Sequence, residues 1–132
     1  MKFTESTPNL FTNDLDRSVV FYRDVLGFTV VTTVPDARPF VFALLQRDEV
    51  TVYVNDMANA AQEMHDKPGM TSVVVGRSGV TLFVHVEGID ALWDTVRSQA
   101  PVVMPLKDQW YGMTEFSVAD PDGYIVTFAE RK

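Results

Sequence analysis

The sequence contains no cysteine, which excludes disulfide bonds, thiolate metal ligands and a cysteine nucleophile. Histidine is scarce as well, because only His65 and His85 can offer an imidazole. A metal site would therefore have to be built from these two residues together with aspartate or glutamate.

The sequence also has few positively charged residues and no long apolar run. There are 11 Lys and Arg residues against 18 Asp and Glu residues, and the formal net charge is -7. Nucleic-acid binding depends on clustered cationic side chains, so this balance argues against a nucleic-acid partner. No apolar run approaches the roughly 20 residues that cross a bilayer, and the first residues lack the layout of a signal peptide. We expect a cytoplasmic protein with no membrane partner.

Helix and strand signals occur twice along the chain in the same order. Asp14 and Gly27 suit the two ends of a first helix, and Gly88 opens a second helix that starts at Ile89. Leu15 and Ile89 are separated by the same number of residues as Asp16 and Asp90, so the repeat holds across both helix starts. The predicted strands cover residues 7–12, 29–34, 40–46 and 50–55, and then 80–86, 102–106, 114–119 and 125–130.

This repetition predicts one domain made of two modules. Module 1 covers about residues 1–56 and module 2 about residues 80–132, and each reads as strand, helix and three further strands. The intervening residues, about 57–79, read as a linker with one helical turn.

Alternation along the strands predicts that each sheet has two different faces. Val52 and Val54 make one face of the fourth strand aliphatic, and the two helices are the available cover for such faces. The opposite faces mix hydroxyl, amide, imidazole and aromatic groups, which suits a concave binding surface better than a dry core. Because alternate residues of a strand share a face, that surface includes Thr7, Asn9, Phe11, Thr51, Tyr53, Asn55, Thr81, Phe83, His85, Thr127 and Ala129.

Four stretches resemble the vicinal oxygen chelate superfamily, which includes glyoxalase I, ring-cleaving dioxygenases and bleomycin-resistance binding proteins. They are NDLDRSVVFYRDVLGF, DEVTVYV, FVHVEGIDALWDTV and WYGMTEFSVADPDGYIVTFAE, and together they span nearly the whole chain apart from the linker. The resemblance implies an α+β fold in which two βαβββ modules form a curled, cup-shaped mixed sheet with helices on its convex face.

Metal-using members of that superfamily hold a divalent ion with His, Gln or Glu on the first, fourth, fifth and eighth strands. The matching positions here are Thr7, Thr51, Thr81 and Thr127. A neutral hydroxyl is a weak ligand for Zn²⁺, Ni²⁺ or Fe²⁺. We therefore expect no metal and no other cofactor, and we interpret the four threonines as the lining of a metal-free pocket.

The binding-protein branch of the superfamily fits better. Its apolar pattern ahead of the fourth strand appears here at Phe40, Phe42 and Leu44. Its loop tryptophan corresponds to Trp110, which has one residue more before the following glycine. The resemblance implies a homodimer whose crevices stack aromatic ligands, with an acidic rim that attracts a cationic tail. The predicted function is metal-independent binding of a small aromatic molecule that can carry a positive charge, as in antibiotic sequestration.

Several residues of the second face are candidates for ligand contact. Trp110 is interpreted as the stacking anchor. Asn9, Tyr53, Asn55 and Phe83 can add hydrogen bonds or ring contacts. His85 and Glu115 could act as acid and base, although a solvated carboxylate at a strand edge is the simpler interpretation of Glu115.

Two other functions remain open. One is an enzyme of the same superfamily, either a lyase or dioxygenase with an unrecognised metal site or a metal-free acid–base enzyme that uses His85 and Glu115. The other is a module that serves only for dimerisation.

Overall fold

The computed structural model describes residues 1–63, 75–76 and 79–132 of the chain. It divides into two compact units, Met1–Val75 and Gly76–Lys132. His65 and the rest of the predicted linker after Glu63, apart from Val75, Gly76 and Gly79, lie outside the described residues. Within the described ranges, no helix is long and apolar enough to cross a membrane.

In the described part of the chain, each unit forms a four-stranded mixed sheet. In the first unit, β1 and β4 are parallel and the sheet order is β1-β4-β3-β2; in the second, β5 and β8 are parallel and the order is β5-β8-β7-β6. The first unit comprises β1 (Asn9–Thr12), α1 (Leu15–Val20), β2 (Thr29–Val34), β3 (Phe42–Arg47), β4 (Val50–Asp56) and α2 (Met57–Glu63). The second comprises β5 (Leu82–His85), α3 (Ile89–Val96), β6 (Val102–Asp108), β7 (Met113–Ala119) and β8 (Ile125–Arg131). The predicted α+β fold of two βαβββ modules is confirmed.

The first helix is shorter and less regular than predicted. The Asp14 carboxylate accepts a hydrogen bond from the Arg17 backbone N–H at 3.1 Å, which caps the helix as expected. The α-helix ends at Val20, and a wider π-helical turn covers Phe21–Val25, closed by the Leu26 N–H donating to the Phe21 carbonyl. This wider turn has no signature in the apolar spacing, so a continuous helix was the wrong expectation.

Gly27 ends this helical segment for two reasons. Its φ of 74° lies in the left-handed region that favours glycine. A Cβ at Gly27 would also lie 3.0 Å from a guanidinium nitrogen of Arg47, which donates to the Leu26 carbonyl at 2.7 Å. Gly27 therefore provides both the turn that ends the helix, as predicted, and the space that the Arg47 guanidinium occupies.

Three strands begin two residues later than predicted: β1, β3, which begins at Phe42 rather than Phe40, and β5. β1 begins at Asn9 rather than Thr7, since Pro8 has no N–H to donate and only its carbonyl joins the ladder, to the Tyr53 N–H. β5 begins at Leu82, opposite Val126, because β8 itself starts only one residue earlier. Thr7 and Thr81 therefore lie just before their strands.

The core of each unit lies between its helix and the aliphatic face of its sheet. In the first unit, α1 packs against β3 and β4, where Ala43, Leu45, Val52 and Val54 are almost fully buried. In the second, α3 packs against β7 and β8, and Trp93 of α3 contacts the Phe116 ring at 5.1 Å between ring centroids. The opposite faces are therefore free to carry polar groups.

Glu130 joins the end of β8 to the start of α3. Its two carboxylate oxygens accept hydrogen bonds from the backbone N–H groups of Gly88 at 2.9 Å and Ile89 at 3.1 Å. These backbone hydrogen bonds lower the pKa of Glu130. The carboxylate thus satisfies helix N–H groups that have no partner within the helix.

We expect Glu130→Gln to reduce the pH dependence of stability in acid. Because the folded-state pKa of Glu130 lies below its unfolded value, its contribution is present above about pH 4.5 and is lost as the pH falls through the folded pKa. The wild-type melting temperature should therefore fall more steeply between about pH 5 and pH 3 than that of the variant. Glu87→Gln, at an exposed neighbouring position, is the matched control and should behave like wild type. Parallel curves for wild type and Glu130→Gln would contradict the capping role.

Candidate functional site

The face of the second sheet that points away from α3 carries two rows of side chains. In one row, Glu115 of β7 pairs with Ala129 of β8, which pairs with His85 of β5. In the other, the order across the same strands is Ser117, Thr127 and Phe83. Ser117 and Thr127 share a hydroxyl hydrogen bond of 2.7 Å, and both side chains are buried. Thr127 thus lies on the face that alternation predicts.

Glu115 is buried, with only 4% of its surface exposed. The interpretation of Glu115 as a solvated strand-edge carboxylate is therefore wrong, because β7 lies between β6 and β8 and is not an edge strand. Its carboxylate accepts a short hydrogen bond of 2.5 Å from the Tyr111 hydroxyl. In the described part of the chain this is its only hydrogen bond, and its cross-strand neighbour Lys107 forms no ion pair with it.

Such an environment is unusual for a carboxylate. Buried charges in proteins are normally paired with an opposite charge or held by several hydrogen bonds, because leaving water is costly. Glu115 has one neutral donor and no cationic partner among the described residues. The arrangement leaves carboxylate lone pairs available to a cationic or hydrogen-bond-donating ligand.

Trp110 and Tyr111 form an exposed aromatic pair in the turn between β6 and β7. Their rings are stacked, with centroids 5.4 Å apart and planes inclined by 23°. Trp110 is 96% exposed and Tyr111 is 47% exposed. Trp110 thus lies in a loop, as the resemblance implies, and its indole is exposed rather than packed into the core. Because Tyr111 donates to Glu115, the pair and the carboxylate form one cluster that reaches from solvent to the buried face, which we call the Trp110 cluster.

We expect Tyr111 to ionise at unusually high pH. The hydrogen bond to Glu115 is the main cause that raises the pKa of Tyr111, followed by burial and by the negative charge of Glu115. Because the folded-state pKa lies above the ordinary value of about 10, the hydrogen bond stabilises the fold fully below that pH and is lost as pH rises through the higher folded value. The tyrosinate absorbance difference between wild type and Tyr111→Phe should therefore have its midpoint above pH 10. A midpoint at or below the ordinary value would contradict the short hydrogen bond.

The four threonine positions do not fit a transition-metal centre of the kind the superfamily uses. Thr127 shares its hydroxyl with Ser117, and the Thr7 hydroxyl donates to Glu5 at 3.3 Å. Thr51 lies half-buried in β4, and Thr81 is exposed just before β5. Neutral hydroxyls are poor ligands for such ions. Among the described residues, no three His, Asp, Glu or Cys side chains come together as a possible metal site.

The first sheet carries a second polar face, opposite α1. Asn55 of β4 donates through its side-chain amide to the Asn9 side-chain oxygen at 2.6 Å and to the Leu10 carbonyl at 3.0 Å. Phe42 and Tyr53 lie beside this pair, with ring centroids 5.5 Å apart. Phe40 lies just before β3. The Arg38 guanidinium lies over its ring, with Cζ 5.3 Å from the ring centroid. Asn9, Phe42, Tyr53 and Asn55 are thus brought together on one face, and Phe40 contacts Arg38 instead.

His85 and Glu115 share a face but do not meet. They lie on strands two positions apart in the sheet, roughly 9 to 10 Å at the usual strand spacing. The His85 ring contacts the Phe83 ring, with their centroids 5.3 Å apart. Among the described residues no hydrogen bond joins His85 to Glu115, so a joint role would act through a ligand between them.

Tyr111 is the residue that sequence reasoning missed. Its spacing of four residues from Glu115 across a hairpin turn was the available signal, since a tight turn returns the chain to its partner strand. Ligand contact by Trp110, Phe83, His85, Glu115 and the residues of the first sheet remains a prediction.

Comparison with known proteins identifies relatives along nearly the whole chain. The family model described as the Glyoxalase/Bleomycin resistance protein/Dioxygenase superfamily matches residues 6–128. A bleomycin resistance protein of Geobacillus stearothermophilus is 30% identical over 135 residues, which cover 96% of each chain.

Solved structures share the fold at lower sequence identity. TioX from Micromonospora sp. ML1 has a TM-score of 0.77 at 22% identity and covers 98% of this chain and 100% of its own. A bleomycin resistance determinant encoded on the transposon Tn5 has a TM-score of 0.70 at 18% identity and covers 98% of this chain and 99% of its own. At these identities, the two structures support the fold alone.

Proposed function

Because the chain belongs to the glyoxalase/bleomycin resistance protein/dioxygenase superfamily, we propose that it binds a small aromatic cation without a metal ion and thereby sequesters an antibiotic of the bleomycin type. The observation that carries this proposal is the buried Glu115 carboxylate, whose one hydrogen bond in the described residues comes from Tyr111. A bleomycin resistance protein with 30% identity along nearly the whole chain supports the choice of ligand class.

The Trp110 cluster offers the two kinds of contact that such a ligand needs. A planar ring can stack on the exposed indole of Trp110, and its positive charge can then approach the Glu115 carboxylate beside the Tyr111 hydroxyl. The net charge of -7 attracts a cationic ligand at long range. Phe83 and His85, on the same face, are proposed as further contacts.

The chemistry at the superfamily's metal positions supports binding rather than metal-assisted catalysis. Thr7, Thr51, Thr81 and Thr127 offer only neutral hydroxyls. An acid–base reaction by His85 and Glu115 would need a substrate that spans the roughly 9 to 10 Å between their strands. We therefore place binding ahead of both enzymatic alternatives.

We further propose that the functional form is a homodimer. The support is the stacked pair of Trp110 and Tyr111, whose adjacent rings are 96% and 47% exposed in a single chain and form an aromatic surface that a second copy can cover. A second copy would turn the exposed Trp110 cluster into one wall of a crevice. Sedimentation velocity at micromolar protein should show a dimer, and a monomer throughout that range would contradict the proposed crevice.

Trp110→Ala is expected to weaken binding without weakening the fold. Loss of ring stacking should reduce the affinity for metal-free bleomycin about fivefold in a calorimetric titration, while the melting temperature stays unchanged because the indole is almost fully exposed. Trp93→Phe, which changes the half-buried tryptophan of α3, is the control and should bind like wild type. Equal affinities of wild type and Trp110→Ala would remove Trp110 from the site.

A further inference from the structure

The amide pair on the first sheet has a defined polarity. Both hydrogens of the Asn55 side-chain amide are used, one in the 2.6 Å bond to Asn9 and one in the 3.0 Å bond to the Leu10 carbonyl. The same bonds fix which atoms of each amide remain unused. Asn55 is left with its side-chain oxygen as an acceptor, and Asn9 is left with its NH₂ group as a donor.

These remaining groups have no other partner in the part of the chain that the structure describes. Asn9 is exposed and Asn55 is half-buried, so both can be reached from solvent. An acceptor beside a donor is complementary to a group that itself presents a donor beside an acceptor. A primary carboxamide and a lactam have this edge, whereas a carboxylate has no donor and an ammonium group has no acceptor.

Two aromatic rings flank the amide pair on the same face. Tyr53 is the strand neighbour of Asn9 across β1 and β4, and Phe42 is the strand neighbour of Asn55 across β3 and β4. Their rings contact each other with centroids 5.5 Å apart at an angle of 55°. A carboxamide attached to a flat ring would thus find both its polar edge and its ring matched by neighbouring side chains.

We infer that Asn9 and Asn55 form a recognition site for the carboxamide or lactam edge of an aromatic ligand, with Phe42 and Tyr53 contacting its ring. The inference rests on the proposed binding function, because it names the chemical group of the ligand that Asn9 and Asn55 recognise. Asn55 acts as the acceptor for the ligand N–H, and Asn9 acts as the donor to the ligand carbonyl. Selectivity follows because an analogue without the N–H leaves the Asn55 oxygen unpaired.

The test uses benzamide and N,N-dimethylbenzamide, which share a ring and a carbonyl but differ in the N–H donors. The Asn side-chain NH₂ signals of ¹⁵N-labelled protein are followed by NMR during each titration. Benzamide should shift the Asn9 and Asn55 signals and bind at least about tenfold more tightly than the dimethyl analogue, as expected for a lost hydrogen bond. Equal affinities, or no shift of these signals with benzamide, would overturn the inference.

Asn9→Asp tests the donor role of Asn9 most directly. Its carboxylate keeps the size of the side chain and can still accept the hydrogen bond from Asn55, but it lacks the outward donor. Benzamide affinity should fall about tenfold, and an unchanged affinity would overturn the site. The outcome is separable from the proposed function, which fails only if an aromatic cation does not bind at Glu115. If an aromatic cation binds but benzamide and N,N-dimethylbenzamide bind with equal affinity, only the amide site is overturned.

Discussion

Replacing Phe116 with alanine is expected to lower the free energy of unfolding by about 3 to 5 kcal/mol, the usual cost of removing a fully buried aromatic ring. Phe116 has 0% exposure and contacts Trp93 of α3 and Phe128 of β8, with centroids 5.1 Å and 5.0 Å away. It therefore connects the helix to two strands of the second sheet. Removal of the ring leaves a cavity, and Trp93 and Phe128 cannot fill it unless the helix moves.

Phe83→Ala is the matched control for this prediction. Phe83 lies in the same sheet, on the opposite face, and is 49% exposed. Its loss should cost about 1 kcal/mol or less, because much of the ring is already in water. Urea denaturation followed by circular dichroism measures both variants. Equal losses of stability would contradict the assignment of Phe116 to the core and of Phe83 to the outer face.

Glu115→Gln is expected to abolish most of the preference for a cationic ligand. At pH 8 the flat ring of 9-aminoacridine is a cation and that of acridine is neutral, so the two probes differ mainly in charge. The variant should bind 9-aminoacridine at least about tenfold more weakly than wild type, because a buried charge partner is lost. Its affinity for acridine should change by less than about twofold, since stacking on Trp110 is retained.

The same substitution should not destabilise the protein. Glutamine keeps the size of Glu115 and can still accept the hydrogen bond from Tyr111, while the buried charge disappears. The melting temperature should therefore stay equal or rise, which separates a binding defect from a folding defect. Lys107→Met, at the cross-strand neighbour of Glu115, is the control and should retain the preference for 9-aminoacridine. Equal loss of affinity for both probes in Glu115→Gln would contradict a charge-specific role.

The fold could be predicted from sequence where local patterns carry the information. The helix starts at Leu15 and Ile89 follow from the repeated motif, and alternation correctly separates Val52 and Val54 from Tyr53 and Asn55. The π-helical turn at Phe21–Val25 could not be predicted, because the apolar spacing of an α-helix tolerates it. The later start of β5 depends on its partner β8, which is distant in sequence, whereas the later start of β1 follows from Pro8, which lacks a backbone N–H.

The candidate site could be predicted only in part. The alternation of side chains along a strand identifies which residues share a face, and it places Asn9 and Asn55 on the polar face of their strands, where the structure shows them in contact. It gives no information on strand order, so the burial of Glu115 on an interior strand was not foreseen. Hydrogen bonds that span the sequence, such as Glu130 to Gly88, are set by tertiary packing and leave no local signal.

The most direct test of metal-independent binding is a calorimetric titration of 9-aminoacridine into wild-type protein dialysed against EDTA. We expect saturable binding that is at least about tenfold tighter than that of acridine and is unchanged when Ni²⁺ or Zn²⁺ is added back. Binding that appears only after a metal ion is restored would contradict metal-independent binding, and so would the absence of binding under both conditions.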